Sequence, residues 1–173
     1  MLPAQQWQEL LVHCRRKISG NHLACENQDF KAFGLIGGRV NDHTIDVVSI
    51  APLYKNARGS KNHKRFMDHQ MECHAIPSVT PFTERGWVAD QQEVDDALKT
   101  MHSQNCSLIG TYHMHRVAWD HDPIRDTPTE LDLMLGQGSR MLMFIISMVD
   151  PAKPIIKAFF EGVTSQEIPI EIV

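Results

Sequence analysis

The sequence predicts a mixed α/β fold of the α+β kind, a central mixed β-sheet flanked by helices. Three observations carry that expectation. Stripes of apolar residues at helical spacing alternate with short β-branched and aromatic runs. The runs follow one another as α-β-β-α-β-α-β-β, with no internal repeat or low-complexity tract. The chain has 173 residues, enough for a single domain, residues 1–173, that buries a core without disulfides.

The elements follow in order. From about Gln5 to Ile18, the residues Trp7, Leu10, Leu11, Cys14 and Ile18 share one helical face, and Ser19-Gly20 close the helix. Phe33 to Val40 and Thr44 to Ile50 read as strands joined by a turn at Asn41-Asp42. Tyr54 to Trp87 reads as irregular, punctuated by Gly59, Pro77, Pro81 and Gly86. Its later part, Cys73 to Trp87, is long for a connection and is expected to cover a cleft. Asp90 with Glu93 marks a capped helix start, and Val94, Ala97, Leu98 and Met101 supply its apolar stripe. Leu108 to Tyr112 is an apolar strand end. A helix begins near Thr127 and stops near Gly136 to Gly138; Met141 to Val149 and Ile155 to Phe160 are buried-type strands, and Glu167 to Val173 adds an edge strand.

The chemistry concentrates where the third strand ends. Strand side chains alternate faces, so His113 and His115 project together and Tyr112 and Met114 project oppositely. Downstream, Thr127 suits an N-cap, Pro128 the first helical position, and Glu130 a capping box. Asp132 then lies early in that helix, on the face of Thr129. Two histidines and one acid are the protein ligands of an open catalytic zinc site, with a position left for water. A metal-dependent hydrolase is the expected class. The group His69, Cys73 and His74 is a weaker metal candidate that lacks a fourth ligand.

Charge and cysteine usage narrow the partners. With 17 basic and 21 acidic residues the formal charge is −4, which argues against a nucleic-acid or polyanion binder. The four cysteines contain no CxxC pair, so a structural zinc ribbon is not expected, and free thiols suit a reducing interior such as the cytoplasm. The N-terminal residues do not read as a signal peptide, and no apolar run is long enough for a membrane span. The run Lys55, Arg58, Lys61, Lys64, Arg65 reads as a solvated loop.

His113-x-His115 with Pro128-Thr129-x-x-Asp132, preceded by Gly110 and followed by Met143-Phe144-Ile145-Ile146-Ser147, resembles the JAMM motif of the JAB1/MPN/Mov34 metalloprotease family. Phe33-Gly34-Leu35-Ile36-Gly37-Gly38 resembles that family's first strand, and the order of elements agrees over nearly the whole chain. The resemblance implies an MPN/JAB-like, cytidine-deaminase-like architecture. It implies Zn2+ held by His113, His115 and Asp132, with Thr129 polarising the site or stabilising an oxyanion. It implies hydrolysis of a peptide or isopeptide bond, the C-terminus of a ubiquitin-like protein being one such substrate.

Three departures stand out. The family's general-base glutamate sits three residues before the glycine matching Gly34, and here that position is Lys31; Glu26, and Asp29 beside it, are the nearby acids, and Glu26 is the candidate base after a shift of register. Met114 and Arg116 replace a small hydroxyl residue and a proline. The loop Arg116 to Asp126 is longer than the family's, and its Trp119-Asp120-His121-Asp122 offers rival ligands or a reshaped cleft. Two other functions fit: a catalytically silent MPN-like partner-binding module, and a metal-dependent amidohydrolase acting on a small molecule.

Overall fold

The computed structural model describes residues 1–173 and builds one six-stranded mixed sheet with helices on both faces. The N-terminal helix α1 (Ala4–Ile18) is followed by β1 (Phe33–Val40), β2 (Ile45–Leu53), α2 (Lys61–His74), α3 (Gln91–Ser103) and β3 (Ser107–His115). Then come α4 (Glu130–Gly136), β4 (Leu142–Ser147), β5 (Ile155–Phe160) and the two-residue β6 (Glu167–Ile168). The sheet order is β2-β1-β3-β4-β5-β6. All neighbours are antiparallel except β3 and β4, which run parallel and are therefore joined by a crossover, here through α4.

Burial explains the two layers. The α1 stripe of Leu10, Leu11 and Cys14 packs into one core with Ile36, Tyr112, Met114, Phe144 and Ile146 of the sheet. On the other face, Met101 of α3 meets Leu35 and Leu53, while Met67 and Met71 of α2 meet Leu131 of α4. Every residue of β4 is buried, as expected of a strand covered on both sides, where apolar residues run without alternation. At the tight centre, Gly34 pairs with Tyr112, and a Cβ on Gly34 would collide with the Tyr112 ring and the Ala51 carbonyl. The Tyr112 hydroxyl in turn bonds His13 of α1 at 2.8 Å.

Two expectations need correction. The segment read as irregular contains α2, a 14-residue helix. Its buried residues are only Met67 and Met71, one turn apart; Phe66 and Cys73 are exposed and the remainder is polar, so no amphipathic stripe announces it. Arg58, read as part of a solvated loop, is buried; its guanidinium bonds the Arg85 and Phe82 carbonyls and Asp68. The other basic residues of that run stay at the surface, on or beside α2. No helix is long and apolar enough to cross a membrane. All four cysteines are free, Cys14 and Cys106 buried and Cys25 and Cys73 exposed.

Candidate metal centre

The strand β3 and the helix α4 deliver three side chains to one point. Tyr112 and Met114 point into the α1 core, so His113 and His115 emerge together on the opposite face. A register shift between Ile36 and Gly37 leaves Ile109 of β3 unpaired, a bulge separated from His113 by three pairs. It turns Ile109 into the same core as Tyr112 and Met114, a phase that simple alternation would not give.

The helix start differs by one short step from the expectation. Thr129, not Thr127, is the N-cap of α4, with extended backbone at φ −89° and ψ 172°. The capping box is reciprocal: the Asp132 N–H donates to Thr129 Oγ1 at 3.3 Å, and Asp132 Oδ2 accepts from the Thr129 N–H at 2.8 Å. The Thr129 hydroxyl donates to the same Oδ2 at 2.7 Å. Capping from Thr129 makes Asp132 the acid that folds back, which Glu130 would have been with Thr127 as cap. It also turns the Asp132 carboxylate toward the histidines.

The three groups then meet. Nε2 of His113 lies 3.1 Å from Nε2 of His115, Asp132 Oδ1 lies 3.3 Å from His113 Nε2, and Oδ2 lies 3.6 Å from His115 Nε2. Taking one ligating atom from each residue, all lie within 4.8 Å of one another. A tetrahedral ion with bonds of about 2.0–2.1 Å needs ligand-to-ligand edges of about 3.3–3.4 Å, so through the nearer carboxylate oxygens the donor set has the right span. The chemistry of the donors agrees. His115 Nδ1 faces the Arg125 carbonyl at 3.0 Å, and a carbonyl only accepts, so Nδ1 carries the proton and Nε2 presents a lone pair. Burial holds His115 below the usual imidazole range, against the pull of Asp132, and so keeps it neutral. Burial would raise the Asp132 carboxyl, but His113 and His115 beside it hold it well below the carboxylate range and ionised. A divalent cation fits two imidazole nitrogens and a carboxylate facing one point.

The site opens into a cavity of about 230 Å³. Ser78, Thr80 and Arg85 of the 73–87 connection form part of its wall, as do Trp119 and Arg125 of the 116–126 loop. Four cations line the cavity, Lys31, Arg85, Arg116 and Arg125, against one acid, Asp132. On a chain of net charge −4 this is a marked local excess of positive charge. Lys31 donates from Nζ to the Glu84 carbonyl at 2.5 Å, and burial pushes its ammonium below the usual lysine range.

The other candidates lie elsewhere. Glu26 is not a wall of the cavity. Its side chain is fully buried in an ion cluster under α1, bonded to Arg16 and to the Leu23 N–H at 2.7 Å, with Lys17 Nζ at 3.8 Å. Burial alone would raise its carboxyl, but the Arg16 hydrogen bond, the Leu23 N–H and Lys17 outweigh that and hold it below the usual range. Asp29 pairs with Lys17 at 3.0 Å. Neither Asp120, His121 nor Asp122 joins the metal-ligand group; Asp122 accepts from the Arg125 N–H at 2.8 Å and pairs with Trp119 through the backbone. Nor do His69, Cys73 and His74 form a group, since His74 turns to Glu130 at 2.9 Å. Sequence reading missed Arg125. Its one visible signal was membership of the long loop after His115.

Comparison with known proteins bounds the fold. No family model matches the chain, and no curated protein matches it. Among solved structures it is similar to protein DSY2949 from Desulfitobacterium hafniense, with 22% identity and a TM-score of 0.62 over 100% of this chain and 92% of that one. It is also matched to a protein from Salinibacter ruber, with 18% identity and a TM-score of 0.49 over 100% of this chain and 90% of that one. The first of these likenesses, at its level of identity, shows a shared fold: the mixed sheet with flanking helices described above is also the architecture of the Desulfitobacterium protein.

Proposed function

We propose that the chain is a zinc-dependent hydrolase of the JAMM metallopeptidase type, cutting a peptide or isopeptide bond, with His113, His115 and Asp132 as metal ligands. The observation that carries the reading is the convergence of these three donors, one atom from each within 4.8 Å of the others, in the wall of an open cavity. Zinc bound there would lower the pKa of its water to about 7 and polarise the scissile carbonyl. The chain's own residues divide the remaining work. The Arg125 carbonyl fixes the His115 ring, and Thr129 locks the Asp132 carboxylate with its N–H and hydroxyl. Trp87, Phe33 and Leu131 give the cavity apolar walls that exclude water from a bound amide. Lys31 lines the same cavity, with its Nζ donating to the Glu84 carbonyl.

A specific observation favours a second reading. The cavity holds no carboxylate apart from Asp132, so the acid that usually accepts the proton of the attacking water is missing. A metal-binding module that captures a peptide tail without cutting it fits the same walls. One experiment separates the two: zinc content, and hydrolysis of peptide and ubiquitin-like C-terminal fusions, for the wild type beside His113→Ala and Asp132→Ala. Stoichiometric zinc with cleavage lost in both variants supports the enzyme. Zinc without any cleavage supports the module, and absence of zinc overturns the metal site in both readings.

A further inference from the structure

Arg125 is the residue around the metal centre that the ligand geometry leaves unexplained. Its backbone sits in the left-handed region at φ 59°, uncommon for a side chain of this size. Its guanidinium stacks with Cζ 3.3 Å from the centre of the Trp119 ring. The side chain is only 8% exposed and pairs with Asp122 at 3.5 Å from Nη1, an ion pair longer than a hydrogen bond, so Nε and Nη1 have no hydrogen-bond partner within the chain. Buried polar groups in native proteins are almost always satisfied, and desolvating a guanidinium costs several kcal/mol by order of magnitude. Two buried donors are thus left for a group from outside the chain. Arg125 also lines the cavity that holds His113, His115 and Asp132.

We infer that Arg125 is the docking group for a carboxylate of the substrate, held beside the His113, His115 and Asp132 group and attracted there by Lys31, Arg85 and Arg116. Stacking on Trp119 covers a face of the guanidinium and leaves its edges for in-plane hydrogen bonds, the geometry that suits a planar carboxylate. About 230 Å³ lies just under the roughly 300–1,000 Å³ of a typical small-molecule site and is room for a terminal residue with its carboxylate. Resting on the hydrolase reading, this names the substrate class: peptides or acyl-amino acids whose free C-terminal carboxylate lies next to the scissile amide.

The test needs neither zinc nor turnover. The Arg125 Nε–Hε resonance of the zinc-free protein is followed by NMR during titration with N-acetylglycine, its neutral analogue N-acetylglycinamide and inorganic phosphate, all at constant ionic strength. N-acetylglycine is expected to shift that resonance saturably and the amide not to shift it. Binding, read from neighbouring amide resonances, is expected to weaken at least tenfold in Arg125→Gln and to be unchanged in Arg15→Gln, an exposed arginine on α1. Arg125→Lys serves where Arg125→Gln fails to fold, and is expected to lose the tight carboxylate binding as well, since lysine offers no planar fork. Equal response to acid and amide overturns the proposal, and so does binding unaffected by either variant. Saturation by phosphate with none by N-acetylglycine overturns the carboxylate assignment. Zinc affinity is measured separately by chelator competition, so loss of the metal reading and loss of the anion site register as different results.

Discussion

Replacing Thr129 by valine removes one oxygen and keeps the shape, which makes it a sharp probe of the metal centre. The oxygen makes two bonds. It accepts from the Asp132 N–H at 3.3 Å, which is helix capping, and it donates to Asp132 Oδ2 at 2.7 Å, which orients a proposed metal ligand. The Thr129 N–H to Oδ2 bond at 2.8 Å survives the change. Loss of the cap costs about 1 kcal/mol whether or not zinc is present. Loss of a partner to a ligating carboxylate weakens metal binding by roughly 10–100-fold. At zinc a thousandfold above its Kd, binding stabilises the fold by about 4.1 kcal/mol, and a 30-fold weaker site gives up about 2 kcal/mol of that. The variant is thus expected to lose about 1 kcal/mol without zinc and about 3 kcal/mol with it. For a chain of this size each kcal/mol is worth about 2–4 °C, so the expected falls in Tm are about 2–4 °C and 6–12 °C. Thermal denaturation with and without zinc, beside chelator competition for the Kd, reads both numbers, and Thr129→Ser should restore most of each. Equal falls in the two states with an unchanged zinc Kd would refute the reasoning and leave Thr129 as a helix cap alone.

Three further outcomes follow from the same structure. Burial, with Arg16 and Lys17 beside it, lowers the His13 imidazole from 6.5 to about 4. Its native pKa thus lies below its unfolded one, so stability is full above pH 6.5 and falls by roughly 3 kcal/mol as the pH drops toward 4. Urea midpoints measured across that window should show a shallower decline in His13→Gln than in the wild type, and parallel curves would exclude this source. Glu26→Gln should destabilise the fold by roughly 3 kcal/mol by removing the charge partner of Arg16, while Lys17 keeps Asp29 and zinc affinity and any turnover per folded molecule stay unchanged. A tenfold fall in turnover with the fold intact would return Glu26 to the site. Gly34→Ala should cost about 1–3 kcal/mol, because the added methyl meets the Tyr112 ring and the Ala51 carbonyl; a Tm within a degree of the wild type would show that Tyr112 can move aside.

Much of this protein is written in local periodicity. A repeat of two placed His113 and His115 on one face, and a repeat of 3.6 marked α1 and α3, because those patterns depend only on neighbouring residues and the water they avoid. Capping chemistry placed Asp132 in the first turn of α4, although the choice between Thr127 and Thr129 as cap was settled by where the carboxylate finds its partners. The mixed sheet flanked by helices was legible for the same reason. Only the tertiary structure decided what depends on contacts between distant segments. The parallel β3–α4–β4 crossover carries Asp132 across a long loop to the histidines. The helix α2, whose buried residues are Met67 and Met71 alone, gains its packing from Leu131 of α4, which no local pattern encodes. Glu26, near Lys31 in sequence, is held in an ion cluster under α1 by Arg16, Lys17 and the Leu23 N–H, contacts between segments that no local pattern encodes. Arg125 looked like any loop arginine until burial removed its water and left two donors without a partner beside the candidate metal centre. Periodicity tells which way a side chain points; what it meets there, and at what cost in desolvation, is set by packing between segments far apart in the chain.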